Sequence, residues 1–97
     1  MNDNYQLRLY VAGSEPNSQL ARKNLQEICE RHLSGSYNIE VIDVLVDFES
    51  AIRDSVFVTP ALILTAPAPQ ATIFGNLSDT KKVLAALRLE EVEYESR

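Results

Sequence analysis

Catalysis needs nucleophiles, acids, bases or ligands at workable spacing, and this chain offers few of them. Its 97 residues hold one cysteine, Cys29, and one histidine, His32. A thiol redox centre places a nucleophilic Cys, ordinarily within Cys-x-x-Cys, at a helix N-terminus, where the helix end lowers the thiol pKa. Here the segment that opens the first expected helix reads Gly13-Ser14-Glu15-Pro16-Asn17-Ser18 and carries no thiol. Cys29 falls about three turns further on, within an apolar stripe, which predicts a small core residue. A lone Cys excludes an intrachain disulfide, and one Cys with one His leaves no zinc-binding set. Ser14 and Ser18 have no His or Asp placed by sequence to activate them, so turn and capping roles account for both. His32 belongs near a helix C-terminus, where a cation suits the negative pole. The residues predict no catalytic, metal or cofactor site.

Charge narrows the partners. Nine Lys/Arg stand against fourteen Asp/Glu, a formal charge of −5, and the positive residues are scattered. That opposes the attraction basic proteins feel for phosphate backbones and anionic lipid, so no nucleic acid and no membrane partner is expected. No apolar run approaches the ~20 residues of a membrane span, and Met1-Asn2-Asp3-Asn4 lacks the basic, apolar layout of a secretory leader. With 45% hydrophobic residues and no composition break, the expectation is one cytoplasmic domain over 1–97. Its ordered core would run from about 4 to 90. Residues 91–97 would form an acidic tail, with Glu90, Glu91, Glu93 and Glu95 at a solvated end.

The elements that would position any site follow from periodicity. Leu7, Leu9 and Val11 alternate with Arg8 and Tyr10, the period of a strand over Gln6–Ala12. Ala21, Leu25, Ile28, Cys29 and His32 form one stripe of a helix capped at Asn17 or Ser18 and stopping at Ser34-Gly35. The β-branched run Ile39–Val46 reads as a central strand, and Asp47 can cap a short helix from about Phe48 to Asp54. In Val56–Leu64 the apolar run is broken by Pro60, which must start a strand or lie at an edge because it has no N–H. Pro67 and Pro69 bracket a turn, after which Ala71–Phe74 pairs back. Ser78 caps a last helix with Val83, Leu84 and Leu87 inward. The result is an α/β fold of order β-α-β-α-β-β-α, with the first β-α-β parallel and the closing pair a hairpin. That order is thioredoxin-like.

Five segments now carry a resemblance. Leu9-Tyr10-Val11-Ala12-Gly13, Pro16-Asn17-Ser18, Val41-Ile42-Asp43-Val44-Leu45, Thr59-Pro60-Ala61-Leu62 and Gly75-Asn76-Leu77-Ser78 resemble, in order and spacing, the KaiB family of bacterial clock proteins. The likeness runs from about Tyr5 to Leu89. It implies a protein without enzyme activity or cofactor that binds the KaiC ATPase and, in cyanobacteria, helps sequester KaiA. It also implies two packings of the C-terminal half: a tetrameric ground state and a thioredoxin-like monomer that engages KaiC. Self-association as a dimer or tetramer is therefore part of the expectation. The sensory domain of the clock kinase SasA is a thioredoxin-like relative, so a stand-alone sensory or adaptor role on a histidine kinase pathway is the alternative. Thioredoxin-like folds place a cis proline before the third strand, which the resemblance implies for Pro60.

Departures from the family pattern sharpen this. Where the family commonly reads Gly-Leu-Asp, this chain has Ala86-Leu87-Arg88. Gly to Ala inside a helix favours it by roughly 0.5–1 kcal/mol. An acid replaced by Arg near a helix C-terminus adds about 0.3–1 kcal/mol. Two packings of one sequence can differ by only a few kcal/mol, so the thioredoxin-like state is the one expected. Basic residues that the family often carries are replaced by Ser55, Ala71 and Thr72, which points to a divergent partner. With Tyr5, Arg8 and Arg53 these form the expected partner-contact set. Gly13, Pro60, Gly75, Ala86 and Arg88 form the structural and fold-switch set.

Overall fold

The computed structural model describes residues 4–89. The element order is β1 (Tyr5–Val11), α1 (Pro16–His32), β2 (Tyr37–Asp43), α2 (Phe48–Arg53), β3 (Ala61–Ala66), β4 (Ala71–Phe74) and α3 (Thr80–Ala86). This is the β-α-β-α-β-β-α order that the periodicity predicts. The four strands form one sheet in the order β2-β1-β3-β4. β1 runs parallel to β2 with Leu9 opposite Val41, and antiparallel to β3 with Leu9 opposite Leu62. β3 and β4 close as an antiparallel hairpin.

Side-chain alternation divides the core between the two faces of this sheet. On one face Leu7, Leu9 and Val11 of β1 join Leu62, Leu64 and Ile73 beneath α1 and α3. Helix α1 buries Ala21, Leu25, Ile28 and Cys29 there, the stripe read from sequence. On the other face Tyr10, Ile42, Ala61 and Ile63 pack beneath Ala51 of α2 and Val56. Each fully buried Leu or Ile stabilises the fold by roughly 1.5–3 kcal/mol.

Several local expectations are corrected. β2 is an edge strand, not a central one, because β3 pairs with β1 on its other side. It also stops at Asp43, whose Oδ1 accepts from the N–H groups of Gly13 and Leu45 and so turns the chain. Helix α1 starts two or three residues earlier than its Asn and Ser suggest. Pro16 takes the first helical position, where its missing N–H costs nothing, and Glu15 caps by accepting from the Ser18 N–H at 3.0 Å. Ser18 is buried instead, its Oγ accepting from Ala12 N. Asp79, not Ser78, caps α3 by accepting from Lys82 N.

The α3 terminus also differs from expectation. Ala86 is the last residue of the helix rather than an interior one, and Leu87 is the cap. Arg88 lies beyond it at φ +59°, so its charge does not sit in the helix's last turn. Its guanidinium instead donates to the carbonyls of Pro67 and Ala68 at 3.1 Å each, and to Pro69 at 3.5 Å. Arg88 thereby ties the end of α3 to the β3–β4 turn. Pro60 is buried before β3 and follows a cis peptide bond, as the resemblance implied.

Candidate protein-interaction site

The expected contact residues divide between the two faces of the sheet. Tyr5 and Tyr10 sit five positions apart on β1 and therefore point to opposite faces. Tyr5 is half-buried against the α1–α3 core and donates its hydroxyl to the Leu87 carbonyl at 2.9 Å. Ala71 packs against that same core. Arg8 points to the α2 face, while Thr72 is exposed on β4, opposite Ile63. Arg53 is the exposed last residue of α2 and donates from Nη2 to Ser50 Oγ. Ser55 follows at φ +60°, also exposed. Arg8, Arg53 and Ser55 thus gather around the C-terminal end of α2. Tyr5 and Ala71 do not join them.

A polar network that the sequence did not reveal fixes α2 in place. Asp54 Oδ2 accepts from the Tyr10 hydroxyl at 2.6 Å and from Arg8 Nη1 at 2.8 Å. The Tyr10 oxygen also lies 3.0 Å from the Ser50 carbonyl, and Arg8 Nε reaches Glu40 at 3.3 Å. The Tyr10 hydrogen bond, then the Arg8 pair, hold the Asp54 carboxyl below its ordinary range, against the opposing effect of burial. Burial, followed by the Asp54 carboxylate, pushes the Tyr10 phenol up to about 12. The network holds a helix, since both side chains that reach Asp54 come from β1. Its partners are 44 and 46 residues apart in sequence, so spacing carried no signal of it.

Most of the exposed large apolar side chains surround that helix. Leu45 and Val46 precede α2, Phe48 and Ile52 lie on its outer surface, and Phe57 and Val58 follow it. Val46 and Phe57 are each 82% exposed. Their residue types had suggested core, and type alone does not separate an exposed apolar residue from a buried one. Gly13 lies beside this surface. At φ +57° it takes a conformation that glycine favours, and a Cβ there would approach Leu45 Cδ1 to 3.1 Å. Gly75, at φ +107°, donates its N–H to the Pro60 carbonyl at 2.9 Å and links β4 to the start of β3.

The lone thiol is not set up to react. Cys29 is fully buried, and burial pushes its thiol up to about 12, so thiolate is scarce at neutral pH. His32 ends α1, as its sequence position predicted. Among the described residues no three His, Cys, Asp or Glu side chains gather to hold a metal ion. Among them, too, no helix is long and apolar enough to cross a membrane. The acidic positions Glu90, Glu91, Glu93 and Glu95 lie outside the described residues.

Comparison with known proteins places this arrangement. The chain is similar in fold to the N-terminal domain of SasA from Synechococcus elongatus, with a TM-score of 0.75 and 22% identity over 94% of this chain and 90% of that one. It is also similar to the Drosophila melanogaster thioredoxin Deadhead, with a TM-score of 0.72 and 16% identity over 92% and 84% of the two chains. The fold is therefore thioredoxin-like. Among curated proteins, the circadian clock oscillator protein KaiB of Trichodesmium erythraeum is 47% identical over 85 residues, covering 88% of this chain and 82% of that one. The circadian clock protein KaiB3 of Synechocystis is 43% identical over 81 residues, covering 84% and 79%. The family model for the KaiB domain matches residues 8–89, which take in both faces of the sheet, the Asp54 network and the Arg88 tie. This chain belongs to the KaiB family.

Proposed function

We propose that this chain is a non-catalytic interaction module of a bacterial clock or timing and stress-response system, binding and regulating a KaiC-type ATPase in the cytoplasm. It would act as one domain, with its contact residues drawn from Tyr5, Arg8, Arg53, Ser55, Ala71 and Thr72. The observation that carries this reading is KaiB-family membership combined with a thioredoxin-like packing that leaves an apolar surface around α2. A binding-competent fold selects one nucleotide state of its partner, and the fraction of chain in that fold scales the apparent affinity. Ala86 and Arg88 raise that fraction, Ala86 as a good helix former and Arg88 through its hold on the 67–69 carbonyls. Gly13, Pro60 and Gly75 shape the turns of the same packing.

The test is light scattering of the pure protein with and without a KaiC-type ATPase, in ADP and in ATP. A complex favoured by one nucleotide is expected. The double variant Ala86→Gly, Arg88→Asp should weaken that complex or convert free protein to a tetramer. Unchanged affinity and unchanged mass would count against the switch. A histidine kinase recovered from the native cell in place of the ATPase would point to the sensory-adaptor alternative.

A further inference from the structure

The two edges of the sheet are unlike. β2 carries Glu40 and Asp43, and a charged edge strand resists pairing with another chain. β4, at the opposite edge, reads Ala71-Thr72-Ile73-Phe74 and holds neither a charge nor a proline. Its backbone groups alternate in direction. The Gly75 N–H donates inward to the Pro60 carbonyl at 2.9 Å, and Ile73 lies opposite Leu62, so Gly75, Ile73 and Ala71 turn their N–H and C=O groups to β3. Thr72 and Phe74 therefore turn theirs away from the sheet, and no turn or loop among the described residues bonds them. Their side chains share the α2 face, since Ile73 between them is buried on the other. Thr72 is exposed, and Phe74 is 53% exposed.

From this we infer that β4 pairs with β4 of a second copy, antiparallel across a twofold axis at Ile73, so that two sheets join edge to edge. This register sets Thr72 of each copy opposite Phe74 of the other. Those are the residues whose N–H and C=O groups face outward, so each such pair exchanges both of its hydrogen bonds. Each Phe74 ring then lies beside the other copy's Thr72, and an aromatic against a β-branched side chain is a favourable cross-strand pair. The same pairing at β2 would gather Glu40 and Asp43 of both copies along one seam, and like-charge juxtaposition is costly. The charges nearest β4 lie off its two ends: Arg88 holds the turn before it, and Asp79 and Lys82 line the groove beside Phe74 and Gly75. Antiparallel pairing sends each of them to the opposite end from its own counterpart. The strand has only four residues, so the contact is small, and small interfaces are transient. This dimer is distinct from the tetramer that the resemblance implies, which belongs to the other packing of the C-terminal half. It does not rest on the proposed ATPase partner.

Sedimentation velocity of the full-length chain, from micromolar to millimolar concentration, should show monomer giving way to dimer. In the concentrated sample the Thr72 and Phe74 amide protons should exchange with solvent more slowly than in the dilute one. Thr72→Glu and Phe74→Lys should each associate at least about tenfold more weakly than wild type, with circular dichroism unchanged. An equimolar mixture of the two variants should recover association, because the register sets the new carboxylate of one chain opposite the new ammonium of the other. A monomer at every concentration overturns the inference. So does a dimer whose amides at 72 and 74 exchange no more slowly than in the monomer. Single variants that dimerise like wild type, or a mixture that fails to recover, overturn it too. Slow exchange at both amides regardless of concentration would assign the edge to the chain's own residues, again overturning the inference.

Discussion

The two faces of the sheet solve the same packing problem by different means. Beneath α1 and α3, fourteen buried residues from three strands, two helices and their flanks form one continuous apolar core. Beneath α2, six buried residues suffice, and the helix is held by Tyr10, Asp54 and Arg8 in addition to apolar contact. The six-residue α2 buries only Ala51 inward, which is little apolar surface with which to fix so short a helix. Polar anchors relieve that constraint, since directional hydrogen bonds hold the helix while Phe48 and Ile52 stay outside. One face is built for stability and the other for presentation.

Mutations can break or sharpen this contrast. The largest effect belongs to the apolar face: Leu25→Ala should cost about 3 kcal/mol by chemical denaturation, since Leu25 is fully buried beneath α1. Next comes the anchor. Asp54→Asn should cost about 1–2 kcal/mol near neutral pH. The sign of its pH dependence is fixed by the depressed carboxyl: the ionised form is the one the fold prefers, so its contribution is full above the ordinary value of 3.8 and is lost as pH falls through the lower folded value. The variant's stability curve should therefore be flatter than wild type on that acid limb. Arg88→Ala should cost about 0.5–1 kcal/mol, because three carbonyl contacts are lost at an exposed site. Smallest of all, Phe57→Ser should shift stability by no more than about 0.5 kcal/mol. A loss comparable to Leu25→Ala would mean that the α2 surface is structural after all.

How much of this was legible in the residues depended on whether the deciding interaction was local. The Leu7, Leu9, Val11 alternation and the stripe of α1 read correctly, because side-chain period is a property of the element itself. The position of β2 did not. An apolar, β-branched run is compatible with edge or centre, and its placement was decided by β3 returning to the far side of β1. Glu40 and Asp43, charged within that run, were the available hint. The helix starts failed for a narrower reason, since Pro16 was a better marker of the first turn of α1 than the hydroxyl and amide side chains that follow it. For the candidate site, Arg8, Arg53 and Ser55 came together, whereas Tyr5, expected among the partner contacts, lies on the other face and braces α3. Asp54 was missed because both of its side-chain partners lie on β1, far away in sequence.

The Tyr5 hydroxyl and the Leu87 carbonyl join positions 82 residues apart, and β1, the first described strand, ends in the interior of the sheet. Vectorial synthesis therefore delivers the strand long before the segments that enclose it. When residues 37–43 have left the ribosome, β1 can pair on one side only, and its other edge waits for residues 61–66. Until then that edge of β1 has no native partner, and an unpaired strand edge is a template for misassembly. Closure comes only when the last described helix arrives to meet the first described strand.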